Sequence, residues 1–145
     1  MVQPGQLVLE LSNDVSELSR LAEAVESFGA AHALPASLVF NLNLVLEEVV
    51  VNVMHYGFAD TGAHPIQVRL RLAGRRVEVE VRDAGSAFDP LSVPTPDLNL
   101  DLEQRQIGGL GIHFLRTLMD EVRYERRDGE NRLYFCKALP AQASG

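Results

Sequence analysis

The sequence contains a single cysteine, Cys136, which excludes an internal disulfide and any cysteine-rich metal site. Such sparing cysteine use suits a reducing, cytoplasmic compartment. Cations are also scarce. Thirteen Lys and Arg stand against 20 Asp and Glu, a net charge of −7, and the field of such a chain repels phosphate backbones and anionic membrane surfaces. Neither nucleic acid nor a membrane is therefore an expected partner. No apolar run is expected to approach the roughly 20 residues that span a bilayer. Met1 to Gly5 shows no charged segment leading into an apolar one, so no leader is expected. Internal repeats and low-complexity tracts are absent too. What remains is 145 residues, 46% hydrophobic and 23% charged, the composition of one globular domain over 1–145.

Periodicity divides that domain. Gln6 to Ser12 alternates, with Leu7, Leu9 and Leu11 on one side, and predicts a strand. Ser12, Asn13 and Asp14 are good helix caps. Beyond them Val15, Leu18, Leu21, Ala22, Val25 and Phe28 recur at helical spacing, up to an expected stop at Gly29. Pro35 suits the first turn of a second helix, which Leu38, Leu42, Val45, Leu46, Val49 and Val53 carry to about Met54 before Tyr56-Gly57 ends it. This is the most apolar helix and is expected at the centre. Pro65–Ala73 and Arg76–Asp83 alternate cleanly and predict a hairpin turning at Gly74-Arg75. In that register Arg71 faces Glu78 and Arg69 faces Glu80, opposite charges on facing positions. Residues 84–107 hold Pro90, Pro94 and Pro96 without apolar periodicity, and a loop that long suggests a lid. A third helix is expected from Gly108-Gly109 to about Met119, a last hairpin around Asp128-Gly129, and a tail at 140–145. The expected fold class is α+β, a two-layer sandwich of a mostly antiparallel mixed sheet with three helices on one face.

Three features carry chemistry. On the second helix Glu48, Asn52 and His55 fall at i, i+4 and i+7 and share one stripe with Val45. Polar groups on a Val-rich helix are costly unless something binds them, although the stripe read alone fits the polar edge of a solvated helix equally well. Asp83-Ala84-Gly85 follows a strand directly. Asp-x-Gly is a common turn there, but its carboxylate can also accept from an exocyclic amine, and its glycine lets a flat ring approach. Gly108-Gly109-Leu110-Gly111 opens a helix, where free N–H groups and the positive end of the dipole make a phosphate site, or where the glycines make a hinge.

Taken in order, these features resemble the GHKL superfamily of ATP-binding domains, and within it the small stand-alone anti-sigma-factor serine/threonine kinases. The resemblance covers roughly Gln6 to Leu139. Glu48-Val49-Val50-Val51-Asn52 matches the first box of that family, followed by Tyr56-Gly57-Phe58. Asp83-Ala84-Gly85 matches the second box and Arg105-Gln106-Ile107-Gly108-Gly109-Leu110-Gly111-Ile112 the third. Leu118-Met119-Asp120-Glu121-Val122 and a terminal-strand Lys137 continue the pattern.

The resemblance implies a GHKL fold and ATP with Mg²⁺ as cofactors. It makes Asn52 the metal ligand and Glu48 the catalytic base. Asp83 would grip the adenine amine, with Gly85 packed near the base. Gly108, Gly109 and Gly111 would cradle phosphate, and Arg105 would reach the γ-phosphate. The implied partners are a sigma factor and a small STAS-like anti-anti-sigma protein that is phosphorylated, and a homodimer is suggested as well. Two other readings compete: an ATP-gated binding module without phosphotransfer, and the ATP-binding half of a histidine kinase. The latter is disfavoured because no helix with a phosphoacceptor histidine precedes the first box. Three residues depart from the pattern. Ala87 stands where many relatives have glycine, His55 lies one position before the site occupied by Tyr56, and Glu47 has the chemistry of Glu48 in the wrong register, so a solvated face is expected for it.

Overall fold

The computed structural model describes residues 5–57, 62–87, 89 and 109–140. Among these the chain forms β1 (Gln6–Ser12), α1 (Leu18–Ala31), α2 (Ala36–Tyr56), β2 (Pro65–Ala73), β3 (Arg76–Asp83), α3 (Gly109–Leu118), β4 (Glu121–Arg127) and β5 (Glu130–Ala138). The strands make one sheet in the order β1-β2-β3-β5-β4. Every described pairing is antiparallel. Most of the expected lid, 84–107, and residues 141–145 of the expected tail lie outside the described residues.

Period-2 alternation sends Leu11, Ile66, Val68, Leu70, Val77, Val79, Val81, Leu133 and Phe135 to one face of the sheet, where all are buried. The helices cover that face. Leu21, Val25 and Phe28 of α1, Leu38, Leu42, Val45, Leu46, Val49 and Val50 of α2, and Leu115 of α3 join the strands in one apolar cluster. The position expected for α2 at the centre follows from this distribution, because both α1 and α3 pack on it. Ala36–His55 is also long and apolar enough to cross a bilayer by length and composition, which corrects the expectation that no such run exists. A mostly buried core helix meets the same test of length and composition, and α2 lies in the core of this domain.

Gly29 does not end α1. The helix runs on to Ala31 because Gly29 is buried where α1 crosses α2, and a Cβ there would sit 2.5 Å from Val39 Cγ2. The stop lies further on. Ala33 adopts a left-handed φ of 53°, and Ala33 N and Leu34 N donate to the Ala30 and Gly29 carbonyls at 3.4 and 2.9 Å, a Schellman-type closure. At the front end α1 starts at Leu18, after a 3-10 turn over Val15–Glu17 that Asp14 caps by accepting from Ser16 N at 2.9 Å, while Glu17, the N-cap of α1 itself, makes no side-chain cap bond. Asn13 instead clasps the loop before β2 through Gly62 O (3.1 Å) and His64 N (2.9 Å).

Both hairpins turn where expected. Gly74 has φ +62°, and Asp128 and Gly129 have φ +53° and +77°, the paired positive values that suit a tight two-residue connection. The β2–β3 register sets Arg71 opposite Glu78 and Arg69 opposite Glu80. Only the first pair is an ion pair. Glu78 is also held by Arg76 and by the Tyr134 hydroxyl, and these hydrogen bonds, Tyr134 first, keep its carboxyl below the ordinary glutamate range. Glu80 is taken by Arg82 of its own strand, and Arg69 Nε is buried without a hydrogen-bond partner.

Candidate functional site

The covered face of the sheet changes character in one cross-strand row. Leu11 pairs with Ile66, Ile66 with Asp83, Asp83 with Asn131, and Asn131 with Arg126. The first two are apolar core residues, whereas Asp83 and Asn131 are buried polar ones at 5% and 6% exposure. A buried carboxylate and amide are costly unless bonded, and these two are bonded to each other. Asp83 Oδ1 accepts from Asn131 Nδ2 at 3.1 Å and from Gly85 N at 2.9 Å. Asn131 Nδ2 also donates to Ser86 O at 2.8 Å, while its Oδ1 accepts from the Tyr124 hydroxyl at 2.5 Å. Arg126 Nη1 donates to Gly85 O at 2.6 Å. Asp83 Oδ2 takes part in none of these contacts.

The same turn is fastened to α2. Ser86 N donates to Gly57 O at 2.6 Å, across the end of that helix. This approach requires glycine at 85, because a Cβ there would lie 2.1 Å from the Gly57 carbonyl oxygen. Gly85→Ala should therefore break the contact and destabilise the protein by about 2–4 kcal/mol, combining overpacking with a lost buried hydrogen bond. Denaturant unfolding measures this, and a midpoint equal to wild type would show that the turn can move aside at no cost.

Along α2 the stripe named from sequence divides by depth. Val45 and Asn52 are buried, Asn52 at 5% exposure. Glu48 is half-buried one turn before Asn52, and His55 and Glu47 are exposed. Burial first, and the Glu47 charge second, raise the proton affinity of the Glu48 carboxyl above the ordinary glutamate value of 4.5. Gly109 and Gly111 fall in the first turn of α3, which packs on α2. Arg105, Gly108 and Phe58 lie outside the described residues. Asp120, between α3 and β4, ties both ends of the last hairpin by accepting from Ala138 N at 2.6 Å and Lys137 Nζ at 3.4 Å. The structure thus joins Asp83, Gly85 and the end of α2 by direct bonds, and places α3 against that helix.

Three residues of this arrangement escape a motif reading: Asn131, Tyr124 and Arg126. Their signal is present in the alternation nonetheless. Asn131 and Arg126 stand at inward positions of β5 and β4, where the pattern calls for apolar side chains. A polar residue in an apolar register marks a place where the interior has polar business.

Comparison with known proteins agrees with this geometry. A family model described as the histidine kinase-like ATPase domain matches residues 11–137. Serine/threonine-protein kinase BtrW of Bordetella bronchiseptica is 33% identical over 127 residues, 86% of this chain and 88% of BtrW. Serine-protein kinase RsbW of Bacillus velezensis is 32% identical over 95 residues, 61% of this chain and 58% of RsbW. Among solved structures, the RsbU and RsbW domains of Rv1364c from Mycobacterium tuberculosis superpose with a TM-score of 0.68, covering 95% of this chain and 33% of that one at 18% identity, a likeness of fold. The chain belongs to the histidine kinase-like ATPase domain family, and the relatives named above are a serine/threonine-protein kinase and a serine-protein kinase.

Proposed function

We propose that this chain is an ATP-dependent protein serine/threonine kinase that binds a sigma factor and phosphorylates a small STAS-like anti-anti-sigma partner. The observation that carries the reading is the fastening of α2 to the Asp83 turn. One helix presents Glu48 and the buried Asn52 a single turn apart, and its end is hydrogen-bonded through Gly57 to the turn after Asp83. A base-binding carboxylate, a metal-ligating amide and a proton acceptor are thereby held on one rigid frame, which is what phosphoryl transfer chiefly demands.

The donor set suits a small hard cation. Asn52 offers its amide oxygen, with the Glu48 carboxylate one turn away left to take the proton, and among the described residues no cluster of three or more His, Cys, Asp or Glu side chains forms. A metal here would rest on a single protein oxygen, a coordination that Mg²⁺ tolerates beside phosphates and water. Bound with ATP, it supplies charge neutralisation for the phosphoryl group. Asp83 accepts from the adenine amine. Backbone N–H groups at the start of α3, at Gly109 and Gly111, would face phosphate, and Gly108 and Arg105, which lie outside the described residues, are assigned to phosphate and to the γ-phosphate by the resemblance alone. Glu48 accepts the proton of an incoming seryl or threonyl hydroxyl as its oxygen bonds to the γ-phosphorus and the bond to the β–γ bridging oxygen breaks, releasing ADP.

Incubating the purified protein with γ-labelled ATP and the small STAS-like proteins encoded beside it tests the reading. Label is expected on a serine or threonine of one of them, dependent on a divalent cation. A protein that binds ATP and its partner yet transfers no label would instead be an ATP-gated binding module.

A further inference from the structure

A terminal carboxylate torsion is soft, with a broad minimum and no staggered wells. Something must hold Asp83 if it is to read a base by the direction of one lone pair. The Gly85 N–H supplies one donor from the turn itself. The second comes from 48 residues away, where Asn131 commits one amide hydrogen to Asp83 Oδ1 and the other to Ser86 O. A carbonyl only accepts, so Ser86 decides which end of the Asn131 amide faces the turn. The Tyr124 hydroxyl, on Asn131 Oδ1, holds the opposite end. All three polar positions of the Asn131 side chain are thus engaged, and none of them is needed to close the sheet.

We infer that Tyr124 and Asn131 form a positioning pair that sets the base selectivity of the nucleotide site, fixing the Asp83 carboxylate so that Oδ2 is the oxygen left to accept an exocyclic amine. The inference rests on the proposed reading of Asp83 as the base acceptor. Tyr124 acts only through Asn131, and Asn131 acts through Asp83. Removing Asn131 leaves the carboxylate only the Gly85 N–H, and removing the Tyr124 hydroxyl loosens the amide that holds it. Either removal leaves the phosphate-binding end, on α2 and α3, as it was.

The test compares Mg²⁺-ATP with the Mg²⁺ complex of purine riboside triphosphate, which carries hydrogen in place of the amine, by calorimetric titration. Wild type should favour ATP by about 10-fold or more, the range for a hydrogen bond to an ionised group. Asn131→Ala should bring that ratio toward unity, and Tyr124→Phe should lower it about threefold. Affinity for purine riboside triphosphate should stay within about twofold of wild type in both. A purely structural role would weaken the two nucleotides together and keep the ratio, and that result overturns the inference. Tyr124→Phe retains the ring and its packing, so it decides the matter even if Asn131→Ala fails to fold. Asp83→Asn separates the two levels. Loss of the ratio in Asp83→Asn with its retention in Asn131→Ala and Tyr124→Phe removes the positioning pair and leaves the base reading standing. A wild-type protein that does not distinguish the two nucleotides removes both.

Discussion

Glu48→Gln should bind Mg²⁺-ATP about as tightly as wild type and lose most phosphoryl transfer to a protein partner. The substitution keeps the shape and removes the charge. Nucleotide affinity comes from contacts to base, metal and phosphate, whereas a positioned general base is worth about 10² to 10⁴ in rate. Rapid-quench measurement of transfer beside calorimetric binding separates the two quantities. Transfer at the wild-type rate would reject Glu48 as the base. The same side chain sets a pH dependence. Burial, and then the Glu47 charge, raise the proton affinity of the Glu48 carboxyl. Transfer needs the deprotonated form, so the rate should climb with pH along an acid limb lying above the ordinary glutamate value of 4.5. In Glu48→Gln that limb should vanish, because no carboxyl titrates there. A limb that persists unchanged in the mutant would belong to another group.

Asp83→Asn should weaken ATP about 10-fold or more while leaving the fold intact, and the structure gives the reason atom by atom. The two donors on Oδ1, from Gly85 N and Asn131 Nδ2, demand an acceptor, so the amide oxygen of the new side chain takes that place. Its NH₂ then occupies the position of Oδ2 and meets the adenine amine donor to donor. The turn stays satisfied and the base does not. Calorimetry with ATP, together with a thermal melt of the free protein, measures both halves. Undiminished ATP affinity would show that Asp83 does not face the base. A large drop in melting temperature would show that the acceptor at 83 serves mainly the turn.

How much of this was legible beforehand depends on the range of the interaction. Strand alternation, helical spacing and turn chemistry are local, so the sequence alone placed the five strands, the three helices and the β2–β3 register, down to Arg71 opposite Glu78. A period of two leaves one register that buries Ile66, Val68 and Leu70, and that register carries the charges with it. The order of the three boxes likewise pointed to the ATPase family by resemblance, which the match over 11–137 then showed.

What the tertiary structure alone decided was set by neighbours distant in the chain. Gly29 reads as a helix stop by composition, but Val39 of the next helix presses on it and its missing side chain serves packing. Glu80 faces Arg69 in register yet pairs with Arg82, two residues along its own strand on the same face, a span of about 6.6 Å that a long arginine side chain bridges. Glycine at 85 is required by a carbonyl at the end of α2. Asp83 is oriented by Asn131, 48 positions away in sequence. Spacing along a chain says nothing about such pairs. Only the sheet, by laying β5 between β3 and β4, brings the acceptor, its amide and the tyrosine that holds the amide into one row.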